Sequence, residues 1–286
     1  MHTSLFQVRQ YECDAYGHLN NVNYVRYVGE AGLEAWAAAG YDLARYTALG
    51  RRWQTRRLDI EYLRAARYGD TVEVAVSAPA VEGASVLRAY QIRLAGSGDL
   101  VAQAQAATIF VDANTGEPTS IPPEAVAVFG EQVDLSPPIE DVPPSPPPPP
   151  GVFSVRRRVT WGDLDMTRHV ADATLLSYVE TCGFGVIAAH YWPAARMAAQ
   201  GFAIILRRHQ IENLMPAALD DELEIATWVS NVKRASATRH YTIRRVCDGV
   251  LLTRVDTLGV WVDLASGRPI RIPPDFLADF APNLVG

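Results

Sequence analysis

At 286 residues, 49% of them hydrophobic, the chain is long enough for one large or two ordinary domains and can bury a substantial core. A formal net charge of −6 argues against nucleic acid as the main partner while leaving room for a local basic pocket for a phosphorylated ligand. Cys13, Cys182 and Cys247 are an odd set without C-x-x-C spacing, which speaks against a disulfide framework and against a structural zinc site.

Met1-His2-Thr3-Ser4 leads into strand-like sequence rather than a charged start with an apolar run. No later apolar run approaches the roughly 18 residues that span a bilayer, so a soluble, cytoplasmic protein with no membrane partner is expected. A short strand is expected near Phe6 to Arg9, followed by the polar turn Tyr11-Glu12-Cys13-Asp14-Ala15-Tyr16-Gly17-His18-Leu19-Asn20-Asn21. Apolar periodicity then predicts a helix from about Val22 to Ala39, closed by Gly40 and apolar over most of its circumference. Four β-rich runs follow, Arg57 to Leu63, Thr71 to Ala78, Val86 to Leu94 and Ala102 to Val111. Turn signals such as Tyr68-Gly69-Asp70 separate them, Asn114-Thr115-Gly116 closes the last hairpin, and Glu124 to Phe129 adds a helical turn.

The Pro-rich run over residues 143–150 reads as extended polyproline, at about 3.1 Å per residue, and hence as a stiff linker. Beyond it the chain repeats itself at a constant offset. Asp14 falls on Asp165, His18 on His169, Tyr27 on Tyr178, Arg56-Arg57 on Arg207-Arg208, and Ile60-Glu61 on Ile211-Glu212. Arg88, Tyr90 and Arg93 fall on Arg239, Tyr241 and Arg244, and Ile-Pro-Pro at 121–123 falls on 272–274. A register kept over a whole domain without a gap indicates duplication and fusion. Residues 1–133 are read as the first domain, 134–151 as the linker and 152–286 as the second domain, whose helix is predicted over Asp172 to His190. One long helix followed by hairpin-linked strands predicts an α+β fold, with an antiparallel sheet wrapped around one helix in each copy.

The polar turn carries the chemistry. It brings a carboxylate, an imidazole and amides to the start of a helix, where unpaired N–H groups concentrate roughly half a positive charge. That pairing of an acid with an anion site suits acyl transfer, in which such donors stabilise the negative charge on an acyl carbonyl oxygen and Asp14 serves either as nucleophile or as the base that activates water.

The pattern D-x-x-G-H-x-N-N-x-x-Y at Asp14, Gly17, His18, Asn20, Asn21 and Tyr24, followed by Ile60 to Leu63 and Gly69-Asp70, resembles the hotdog-fold acyl-CoA thioesterases of the hydroxybenzoyl-CoA thioesterase-like family. Both copies share in the resemblance. It implies two tandem hotdog domains packed as a pseudo-dimer, hydrolysis of an acyl thioester of coenzyme A or acyl carrier protein, and Asp14 as the catalytic carboxylate. It also implies no metal and no cofactor beyond the coenzyme A of the substrate, with a homo-oligomer of double-hotdog chains as a possible assembly. A non-catalytic acyl-CoA-binding protein and a hotdog dehydratase or hydratase are the alternatives. The D-x-N-P-x-H type motif expected of a dehydratase is absent from the sequence.

Each residue also has a plain structural use. Asp14 fits an Asx-turn, His18 can order the turn, Asn20 or Asn21 suits the helix N-cap, and Tyr24 suits core or pocket wall. Gly17 suits either a tight turn or close backbone approach, and strand alternation points Cys13 away from Asp14 as a core thiol. The second copy keeps Asp165 and His169 but puts Arg168, Ala171 and Asp172 where the first has Gly17, Asn20 and Asn21. Asp172 is expected to cap the helix while its charge offsets the anion-binding end, which makes the second site degenerate. Arg56, Arg57, Arg207, Arg208, Lys233 and Arg234 are candidates for the coenzyme A phosphates. Trp36, Trp53, Phe184 and Trp192 are candidates to close an acyl pocket.

Overall fold

The computed structural model describes residues 1–126 and 144–285, in two compact units divided near residue 141. The first unit runs β1 (His2–Gln7), α1 (Asn21–Ala38), α2 (Leu43–Ala48), β2 (Arg51–Tyr62), β3 (Thr71–Glu82), β4 (Ser85–Leu94), β5 (Leu100–Asp112) and α3 (Pro123–Val126). The second runs β6 (Phe153–Arg158), α4 (Asp172–Ala189), α5 (Ala194–Ala199), β7 (Phe202–Asn213), β8 (Glu222–Ser230), β9 (Ser236–Arg245), β10 (Leu251–Asp263) and α6 (Pro274–Phe280). Both bounds of α1, α2, β1, β2, β4 and β5 reappear in the second unit at the offset seen in the sequence. The duplication is therefore structural as well.

Each unit is a fully antiparallel sheet, in the order β1-β3-β4-β5-β2 and β6-β8-β9-β10-β7. The sequence located every long strand but placed their ends several residues short in places, and β1 lies earlier than expected, since the chain turns into a 3-10 segment at Gln10–Glu12. The short helices α2 and α5 were not anticipated. At six residues they show too little periodicity to be told from a polar loop. Of the segment expected to add a helical turn after Glu124, only α3 lies within the described residues, as does the linker from residue 144 onward.

Helix α1 buries Val22, Tyr24, Val25, Tyr27, Val28, Ala31, Ala35 and Trp36 on its sheet side. Arg26, Glu30, Leu33 and Glu34 are exposed, so the helix has a wet face and is not apolar all round. Trp36 stacks on Trp53 at 4.8 Å, and with Tyr41, Tyr46 and Phe110 they form an aromatic core cluster. In the second unit Ile187 and Ile204 replace the two tryptophans, and the cluster is built on Trp192, Trp261, Phe276 and Phe280. Phe184 is 57% exposed and takes no part in it.

The helices carry a glycine where the sheets send up Arg-x-Tyr. A Cβ on Gly32 would stand 2.6 Å from an Arg88 guanidinium nitrogen and 2.9 Å from the Tyr90 hydroxyl, and one on Gly183 would stand 2.6 Å from the Tyr241 hydroxyl. That explains why these residues recur in register in both copies.

A buried histidine of the second unit has no counterpart in the first. His209 on β7 is fully buried with Nδ1 2.9 Å from Thr257 Oγ1, where the first unit has Leu58. Burial pushes its imidazole from 6.5 down to about 3. The unfolded chain takes up that proton near the ordinary value and the folded chain does not, so this group lowers stability as pH falls below 6.5 and has no effect above it. Thermal denaturation from pH 8 to pH 4 should show Tm falling on the acid side, with a flatter fall in His209→Leu; an equal slope in both proteins would contradict this.

Candidate active site

The Asp14 turn is fixed by backbone before any side chain acts. Asp14 N–H donates to the His18 carbonyl at 2.8 Å and Gly17 N–H to the Asp14 carbonyl at 3.0 Å, while Gly17 takes φ +72°. A Cβ at Gly17 would meet nothing within 4 Å, so the glycine serves the left-handed turn and not a close contact. Leu19 N–H donates to the Ala66 carbonyl at 2.8 Å, and Ala66 N–H in turn donates to the hydroxyl of buried Tyr24 at 3.1 Å. Burial of that phenol is the main cause that pushes it up to about 12, so it stays protonated.

Within the turn the half-buried Asp14 carboxylate is clamped at one oxygen. Oδ1 accepts from Tyr16 N–H at 2.8 Å and from His18 N–H at 3.1 Å, which leaves Oδ2 without a partner among the described residues. The His18 ring is half-buried, 6.5 Å from that of Tyr16. Asn20 is the N-cap of α1, its side chain accepting from Val22 N–H at 2.8 Å, and Asn23 N–H is taken by the Asn20 carbonyl at 2.9 Å. The helix therefore starts at Asn21, and the N–H groups expected to be free at Val22 are already satisfied. Among the described residues, Asn21 N–H is the first-turn donor left open. Cys13 is half-buried with its thiol 3.6 Å from the Arg9 carbonyl, not a core residue, because the chain here is a 3-10 turn without strand alternation.

A second layer holds the turn against α1. Glu12 Oε2 accepts from Tyr27 Oη at 2.8 Å and from Arg9 N–H at 2.7 Å, and the Glu12 carbonyl accepts from Asn23 Nδ2 at 2.8 Å. Glu12, Asn23 and Tyr62, whose hydroxyl donates to the Asn21 carbonyl at 3.3 Å, were not picked out from sequence. The acid at Glu12 and its counterpart Asp163, with Tyr27 and Tyr178, were a signal in the repeat register.

The second turn has the same backbone and different chemistry. Arg168 adopts φ +62° in place of Gly17, so the turn survives the loss of glycine at a cost of about 1 kcal/mol. Asp165 is exposed, and its Oδ1 accepts from Thr167 N–H at 2.8 Å and from the Thr167 hydroxyl at 2.6 Å; that hydroxyl also lies 3.3 Å from His169 Nδ1. Thr167 thus occupies the space between acid and imidazole. Asp172 is not the N-cap as expected. Ala171 holds that position without a side-chain bond, and Asp172 is the first helical residue, its carboxylate accepting from Asn213 Nδ2 at 2.7 Å.

The basic candidates are scattered. Arg56 and Arg207 each stand at a β-bulge, and both they and their neighbours Arg57 and Arg208 are engaged within the protein. Lys233 and Arg234 are exposed in the turn between β8 and β9. Among the described residues no cluster could hold a metal ion, and no helix is long and apolar enough to cross a membrane.

Two tandem sheets, each with one long helix and the same acid-bearing turn at its start, define a double-hotdog protein, and the thioesterase-like superfamily model matches it twice, over residues 8–129 and 159–280. The chain belongs to that superfamily, and thioester hydrolase is its enzyme class. Acyl-CoA thioester hydrolase YbgC of Escherichia coli O157:H7 is 28% identical over 124 residues, 43% of this chain and 91% of the relative. The structure of a putative oleoyl thioesterase from Lactobacillus plantarum superposes with a TM-score of 0.77 at 18% identity, covering 91% of this chain and 95% of the other. The 12:0-ACP thioesterase of Umbellularia californica gives 0.73 at 17% identity, with coverage of 90% and 92%.

Removing the cap tests the local construction. Asn20→Ala is expected to cost about 1 kcal/mol of stability, read as a lower denaturant midpoint at unchanged m-value, whereas Ala171→Asn should stabilise α4.

Proposed function

We propose that the chain hydrolyses acyl-CoA thioesters and that the first turn is its working centre, with Asp14 as the reacting carboxylate. The observation that carries this reading is the clamp on Asp14. Two backbone N–H groups fix Oδ1 and leave Oδ2 free at the start of a helix whose open donor is Asn21 N–H. Oδ2 then either takes a proton from the attacking water as the thiol leaves, or attacks the thioester carbonyl and expels the thiol to give an anhydride that water cleaves, releasing the acid and restoring the carboxylate. Asn21 N–H stabilises the oxyanion, an effect typically worth about 3 kcal/mol for one donor. His18 orders the turn beside the acid.

The second turn is proposed as degenerate, since the Thr167 hydroxyl stands between Oδ1 of its acid and His169, and Asp172 puts negative charge at the start of α4. Lys233 and Arg234 are proposed as phosphate contacts for coenzyme A, alongside Arg56, Arg57, Arg207 and Arg208. The scheme uses carboxylate and amide groups only and calls for no metal or added cofactor. The name of the 28%-identical relative favours coenzyme A as the carrier.

Thiol release from aromatic, short and long acyl-CoAs, with acyl carrier protein thioesters in parallel, tests activity and substrate class together. Asp14→Asn should lower kcat/KM by about 10²-fold or more, a loss of roughly 3 kcal/mol of transition-state stabilisation. Asp165→Asn should stay within a few-fold of wild type, and Lys233→Gln with Arg234→Gln should raise KM for acyl-CoA at little change in kcat. Full turnover by Asp14→Asn would refute the assignment.

A further inference from the structure

The second unit holds a Ser-His-Asp chain that the Asp14 chemistry does not use. Ser230 Oγ lies 2.7 Å from His240 Nε2, and His240 Nδ1 lies 2.6 Å from Asp256 Oδ1. The three residues come from the adjacent strands β8, β9 and β10, and His240 is the direct register partner of Asp256. Of its neighbours in sequence, Tyr241 faces α4 at Gly183 and Arg239 lies over the Phe280 ring of α6, so strand alternation puts His240 on the opposite face of the sheet.

We propose that Ser230, His240 and Asp256 form a second, serine-based acyl-transfer site, specific to oxygen esters or similarly activated acyl groups. The bond to Asp256 fixes the tautomer with the proton on Nδ1, so Nε2 is left as the base toward the Ser230 hydroxyl. Burial is graded as a nucleophile requires. The side chains of His240 and Asp256 are 6% and 11% exposed, whereas Ser230 is half-buried at the end of its strand.

Residues of the Pro-rich segment cover the dry end. Ser145 Oγ donates to Asp256 Oδ1 at 3.3 Å, and Trp228 Nε1 donates to the Pro146 carbonyl at 3.1 Å, with the Trp228 ring 5.8 Å from that of His240. Just after the serine, Asn231 takes φ +55°, and its N–H has no acceptor among the described residues. The N–H that follows a nucleophile is the usual first donor to the oxyanion. The fold itself does not need this chain of residues: the first unit has Pro79, Ala89 and Gln105 at the equivalent places.

In the step proposed, Ser230 Oγ bonds to the acyl carbon as its proton passes to His240 Nε2. The carbon–oxygen bond to the leaving group breaks, and the alcohol departs with that proton. Water then returns the serine by the reverse sequence and releases the acid.

The test is labelling of the full chain by a fluorophosphonate, in which Oγ–P forms and fluoride leaves, followed by intact mass and peptide mapping. The expected result is a single adduct on Ser230, absent from Ser230→Ala, with a labelling rate at least 10-fold lower in His240→Gln and in Asp256→Asn. Asp256→Asn keeps the shape of the site, and melting curves confirm that each variant is folded. Hydrolysis of p-nitrophenyl acetate attributable to Ser230 should fall in parallel. No adduct at Ser230, or a labelling rate unchanged in folded Asp256→Asn, would overturn the proposal and leave the three residues as an anchor for the Pro-rich segment. The mapped adduct does not depend on thioesterase activity at Asp14.

Discussion

The two backbone hydrogen bonds to Asp14 Oδ1 are the constraint on which the site depends. They use one carboxylate oxygen to close the turn and leave the other open. They also hold the acid beside the start of α1, where Asn20 caps Val22 and leaves Asn21 N–H open. Tyr24, Glu12, Asn23 and Tyr27 then tie that turn to the helix and to the loop before β3. A structural Asx-turn and the carboxylate proposed to react are therefore one arrangement here, with Oδ1 in the first role and Oδ2 open for the second.

Duplication shows which parts of this arrangement the fold requires. The backbone turn, the left-handed residue, the acid and Tyr27, as Tyr178, recur in the second unit even with Arg168 in place of glycine. What is lost is the polar chemistry: the capping amide becomes Ala171, a charge appears at Asp172, and Thr167 bonds the acid. Tyr24 and Tyr62 become Leu175 and Asn213, and Asn213 is used to hold Asp172. The second unit thus keeps the scaffold while spending its polar groups on local structure. Elsewhere it has acquired groups the first lacks, among them buried His209 and the Ser230-His240-Asp256 chain.

Much of this was legible in the sequence because repetition does the work of an alignment. Fold class, the two copies, the long strands and the Asp14 turn followed from register and periodicity. Three features did not follow, each for a physical reason. Thr167 hides because a hydroxyl two residues from an acid is ordinary in a turn. The cap shifted from Asp172 to Ala171 because capping depends on where the backbone leaves helical geometry, which side-chain preference indicates only to within a residue or two. The relay of Ser230, His240 and Asp256 spans three strands, so no local spacing reveals it.

The central claim is that the halves differ through the polar groups around the acid and not through their fold. The most direct measurement is thioester hydrolysis by a transplant in the Asp14→Asn background, with Thr167→Tyr, Arg168→Gly, Ala171→Asn and Asp172→Asn rebuilding the first turn on Asp165. The account predicts that activity lost in Asp14→Asn returns by at least 10-fold; a folded transplant that stays as inactive as Asp14→Asn alone would contradict it.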